Sequence, residues 1–137
     1  MAQVALTTAD ALEIVESLEQ HDGVCNVDIS AGEIIRQDNT TGKWVKSLAT
    51  TAANARGSYM ATRTAKAGTG LTGLKRGVVD GFALSGLNYS AEVFVSDTAG
   101  QVADAAGTVS IQAGTVLGQF GEKIGTAPRK LLRVALP

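Results

Sequence analysis

From residue 24 onward the chain repeats with a period of two, in short runs that each end in turn chemistry. Cys25, Val27 and Ile29 alternate with Val24, Asn26 and Asp28, as expected of a half-buried strand. Ser30-Ala31-Gly32 reads as a turn. Residues 33–37 and 43–48 flank Asp38-Asn39-Thr40-Thr41-Gly42, a hairpin signal. Residues 49–57 read as a loop or one helical turn ending at Gly57, and the alternation around Tyr59 suggests a further strand. Residues 78–83 and 92–96 follow as strands, joined by a connector over 84–91. Asp97-Thr98-Ala99-Gly100 is a turn that leads into 101–103, and strands over 115–120 and 130–136 complete the set. Many short strands with close turns predict a mostly β fold, a small antiparallel barrel or sandwich.

Composition fits that architecture. The 137 residues are one domain's worth of chain. Aromatics are only 4%, so the core must be built from Val, Ile, Leu and Ala. The 16 glycines against 2 prolines supply turns and close backbone approaches, not a polyproline linker.

Before residue 24 the pattern differs. Ala11, Ile14, Val15 and Leu18 lie at i, i+3, i+4 and i+7, which predicts a short amphipathic helix over 7–22. Thr7 or Thr8 would cap it, Asp10 suits its first turn, and Gly23 would stop it. Ala2, Gln3, Val4, Ala5 and Leu6 alternate like an extended strand, suited to adding onto another protein's sheet edge. The expected organisation is an N-terminal arm or short helix over 1–23 and a single β-domain over 24–137.

Charge is unevenly spread. Residues 1–35 contain no Lys or Arg but carry Asp10, Glu13, Glu16, Glu19, Asp22, Asp28 and Glu33, while all 12 basic residues come later. Two readings stand: an acidic surface element beside a basic sheet face in one fold, or an acidic end that reaches a neighbouring subunit or another protein.

Residues that could do chemistry are sparse. Cys25 is alone, which excludes an internal disulfide. His21 and Cys25 are four apart, but Cys25 occupies an inward strand position and reads as a buried structural thiol. Gly68-Thr69-Gly70-Leu71-Thr72-Gly73 matches a dinucleotide-binding string. The following Leu74-Lys75-Arg76-Gly77-Val78-Val79 makes a poor helix, so residues 65–73 are expected to be a flexible loop. Asp38, Asp80, Glu92, Asp97, Asp104 and Glu122 are scattered singly, and Asp38 and Asp97 sit at turns where an Asp bonds backbone amides. The basic stretch over 36–76 lacks the interleaved aromatics of a nucleic-acid platform. No enzymatic activity, cofactor, metal, nucleic acid or membrane partner is expected, and no run approaches the ~18 apolar residues of a membrane span. Trp44 is the sole Trp, and with Tyr59 it is a candidate core anchor or oligomer interface.

The second half carries a resemblance. Val79-Asp80-Gly81-Phe82-Ala83-Leu84, the run Ala91-Glu92-Val93-Phe94-Val95-Ser96-Asp97-Thr98-Ala99-Gly100-Gln101-Val102, then Gly114-Thr115-Val116-Leu117-Gly118-Gln119-Phe120-Gly121 and Lys130-Leu131-Leu132-Arg133-Val134 resemble the capsid decoration (head cement) proteins of bacteriophages. Ala31-Gly32-Glu33-Ile34-Ile35 is similar to their opening strand, so the resemblance covers roughly 24–136. It implies a small β-barrel that forms homotrimers, binds the outer surface of the expanded major-capsid shell and bridges its subunits, with residues 2–6 as the docking arm. The implied location is the outer surface of the virion, after synthesis in the bacterial host cytoplasm. The alternative is a tail or receptor-binding virion module, with Trp44, Tyr59 and Tyr89 as the aromatics available to stack on a host glycan.

Overall fold

The predicted alternation is realised as one curled antiparallel sheet in a computed structural model that describes residues 3–8, 11–119 and 128–137. Its elements are β1 (Gln3–Val4), β2 (Glu13–Val24), β3 (Ile34–Gln37), β4 (Trp44–Lys46), α1 (Ala52–Ala55), β5 (Tyr59–Ala61), β6 (Gly70–Asp80), β7 (Glu92–Val95), β8 (Val102–Ala103), β9 (Gln112–Gln119) and β10 (Arg129–Ala135). The hydrogen-bonded order is β1-β8-β7-β9-β10-β6-β5-β3-β4, and β2 pairs with β6 off that path. The mostly β, barrel-like class expected from the sequence is the class observed.

The two ends of the sheet are tied together. Gly100 accepts from Ile34 N at 2.9 Å and donates to Ser47 O at 2.7 Å, and Ala49 N donates to Ser96 O at 2.8 Å. Gly100 does this with φ +76°, a left-handed conformation that a side chain resists. Inside the curl lies the larger core, which includes Ile34, Met60, Leu74, Val79, Val93, Val95, Leu132 and Val134, each at most 1% exposed. The buried Ser58 hydroxyl donates to Ala55 O at 2.6 Å and lies 2.8 Å from the Ser47 hydroxyl. Each buried hydroxyl therefore has the partner it needs.

Three expectations are corrected. Among the described residues the helix expected over 7–22 is not formed: Glu13–Val24 is the long strand β2, registered on β6 from Glu13↔Asp80 to Val24↔Gly70. A lone helix of this length is marginal in water, whereas β6 offers β2 a ladder along its whole length, interrupted by bulges. Register irregularities at Ile14/Glu16, Ser17/Glu19 and Glu19/Gln20 break the alternation, which let a helical spacing be read into a strand. The residues 13–23 assigned to a separate N-terminal element thus belong to the sheet of the β-domain.

The loop expected over 65–73 is cut short, because β6 begins at Gly70 and Leu71 is 2% exposed. The free arm is corrected too. Gln3 and Val4 pair with Ala103 and Val102, Ala5 O accepts from Ala83 N at 2.8 Å, and Leu6 bridges to Phe82. Val4 is 6% exposed, so this segment completes its own barrel; Ala2 lies outside the described residues.

Candidate interaction surface

The outer face of β6 changes character along its length. Glu19 pairs with Arg76 and Gln20 with Leu74, so Lys75 is an extra residue on β6. One inserted residue exchanges the two faces of a strand. The face presented by Leu71 and Gly73 therefore continues through Arg76, Val78 and Asp80.

At the Gly70 end this face is covered. Trp44 is fully buried, and its indole Nε1 donates to Leu71 O at 2.8 Å. Cys25, Ile29, Ile35, Ala61, Ala65 and Leu71 join it in a second, smaller core. Gly23 makes room: a Cβ there would lie 2.6 Å from Trp44 Nε1. The Tyr59 ring meets Trp44 edge-on with centroids 5.2 Å apart, and His21 lies 6.1 Å from each. Lys75 Nζ sits 4.5 Å from the Tyr59 ring centre. Burial, with a smaller contribution from Arg76, pulls the Lys75 amine below its ordinary range against the opposing pull of Glu19. Trp44 is thus a core anchor, with Tyr59 half-buried against it.

At the Asp80 end the same face is open. The register aligns Glu16 with Val78, Val78 with Arg133, Arg133 with Thr115, and Thr115 with Glu92. Directly paired residues share a face, so these five form one row across β2, β6, β10, β9 and β7. Beside the row, Leu18 is 69% and Leu117 38% exposed. They line a groove of about 670 Å³ together with Glu16, Arg76, Val78 and Arg133. Arg76 pairs with Glu19 at 3.8 Å and Arg129 with Asp80 at 3.0 Å. Exposed pairs of this kind contribute about 0–1 kcal/mol each.

β2 adds a free edge. It pairs only with β6 among the described strands, and Glu13, Glu16, Glu19 and Asp22 are all exposed along it.

The remaining candidates stay apart. The Cys25 thiol is 1% exposed and its pKa is raised by burial, which outweighs the lowering by Arg63; Asp28 raises it further. His21, by contrast, is on the surface against Trp44 and Tyr59. Asp38 accepts from Thr40 N at 2.7 Å and Thr41 N at 3.3 Å, and these amides hold its carboxyl below the usual range. Asp97 clasps Thr108 through two 2.9 Å bonds. Among the described residues no three His, Cys, Asp or Glu side chains gather as metal ligands, and no helix is long and apolar enough to cross a membrane. Of the aromatics named as glycan platforms, Tyr89 is the most open at 42% exposed, with its hydroxyl donating to Pro128 O.

Sequence reasoning missed Glu16, Leu18, Val78, Leu117 and Arg133 as surface determinants. A signal was present in Val78-Val79, Val116-Leu117 and Leu131-Leu132. Adjacent apolar residues in a strand put one on each face, so β6 and β9 carry Val78 and Leu117 on the outside as well, while Leu131 of β10 is 2% exposed. No family model, curated protein or solved structure matches this chain.

Proposed function

We propose that this chain is a phage capsid decoration protein that acts by contact and not by catalysis. The observation that carries the reading is β2: a 12-residue strand, acidic and solvent-exposed, with one edge unclaimed by any described strand, mounted on a curled antiparallel sheet. An unpaired strand edge is a template for another chain's backbone, and its charge selects the partner. The resemblance supplies the identity of that partner, the major capsid protein, and the homotrimer that multiplies each contact by raising effective concentration. Its characteristic strings fall on β7, the turn at Asp97–Gly100, β9 and β10, the strands that frame this surface. Binding the expanded shell alone would stabilise that state by mass action.

Co-sedimentation with purified capsids tests the proposal. The protein is expected to pellet with expanded shells and stay in solution with unexpanded ones. Failure to pellet with either form overturns the reading, and electron-microscopic density at the tail tip in place of the capsid faces would favour the receptor-binding alternative.

A further inference from the structure

We propose that the open outer face of β2, β6, β10 and β9 is a self-association surface, in which Glu16 of one copy meets Arg133 of another across a centre formed by Leu18, Val78 and Leu117. The occupant is a second copy because the face carries both halves of its own complement. Along the row Glu16–Val78–Arg133–Thr115–Glu92 the charge alternates: negative at each end, positive in the middle. Neighbouring strands are ~4.8 Å apart, so each carboxylate lies two strands, or ~10 Å, from the guanidinium. Among the described residues none of Glu16, Arg133 and Glu92 has an ion-pair partner within the chain.

A surface that meets only an acidic or only a basic partner has no use for both signs in one row. A surface that meets its own kind requires them. Rotating one copy about an axis along β6 through Val78 sets Glu16 over Arg133 twice and lays Val78 against Val78. A head-to-tail arrangement makes the same Glu16–Arg133 contact once per interface and can close into a ring. Either way Leu18, 69% exposed on a strand bulge beside the row, leaves water. Edge-to-edge pairing of two β2 strands is disfavoured, because it would align acidic strands with each other.

This inference concerns the purified protein and stands independently of the capsid reading: it is read without shells present. Sedimentation velocity over a concentration series is expected to show an oligomer for the natural chain. Glu16→Arg and Arg133→Glu should each weaken association about tenfold or more, and the doubly reversed variant should recover most of the loss, the signature of a direct charge pair. Leu18→Asp should give a monomer with an unchanged melting temperature, which separates lost association from lost folding.

A strictly monomeric natural protein at high concentration overturns the inference. So does a double variant no better than the singles, or association indifferent to all four changes. If Leu18→Asp leaves the oligomer intact but abolishes pelleting with expanded capsids, the shell covers this face and the self-association surface is refuted while the capsid reading stands.

Discussion

The two ends of β6 present one continuous outer face with opposite fates. Over Leu71 and Gly73 it is roofed by Trp44 and Tyr59, and over Arg76 and Val78 it lines an open groove among the described residues. Both ends are flanked by the same partner, β2. The difference lies in what the neighbouring strands bring. At one end Gly23 and Gly73 leave room for an indole. At the other Leu18, Leu117 and Arg133 stand out into solvent. A sheet face covered by its own chain contributes to stability, whereas one left open with large apolar side chains and both signs of charge is available to another molecule.

The contrast can be broken or sharpened by three measurements. The largest effect is expected at the roofed end. Trp44→Ala removes a fully buried indole and its bond to Leu71 O, and should cost about 3–5 kcal/mol in denaturant unfolding. A loss below about 1 kcal/mol would mean that the second core is not integral to the fold.

Cys25 reports whether that roof opens by itself. Its thiol should react with a disulfide reagent on the order of a hundredfold more slowly in the native protein than in denaturant, and Trp44→Ala should erase most of the protection. The pH sign follows from the raised thiol pKa. The folded state holds the proton more tightly than the unfolded state, so this contribution to stability is intact below the ordinary thiol pKa and is lost as pH rises through the raised folded value. Native reactivity equal to the denatured rate would show the second core open in solution.

The smallest effect belongs to the open end. Leu18→Ser should change the unfolding free energy of the isolated monomer by within about 0.5 kcal/mol, because the side chain is already 69% exposed. A much larger loss would show that Leu18 supports the barrel and that the two ends do not differ as described.

The strand pattern located most of the sheet, and the Asp38–Gly42 hairpin and the turn at Asp97–Gly100 stand where their residues put them. The functional surface was far less legible. Leu18 was assigned to the buried stripe of a helix and is the most exposed large apolar residue described. Val4 was assigned to a free arm and is core. In both cases the deciding partner is remote: Val78 and its neighbours for β2, Val102 and Ala103 for β1.

The amino-acid sequence by itself determined the strand-forming runs, the turns and an aliphatic core, because side-chain alternation and turn chemistry act over a few residues. Only the tertiary structure decided that Glu13–Val24 is a strand, that Trp44 roofs one end of β6, and that Glu16, Val78 and Arg133 share a row. Those outcomes depend on partners far apart in the chain, from Trp44 with Leu71 to Glu13 with Asp80, and on bulges that exchange inside for outside, which local periodicity does not encode.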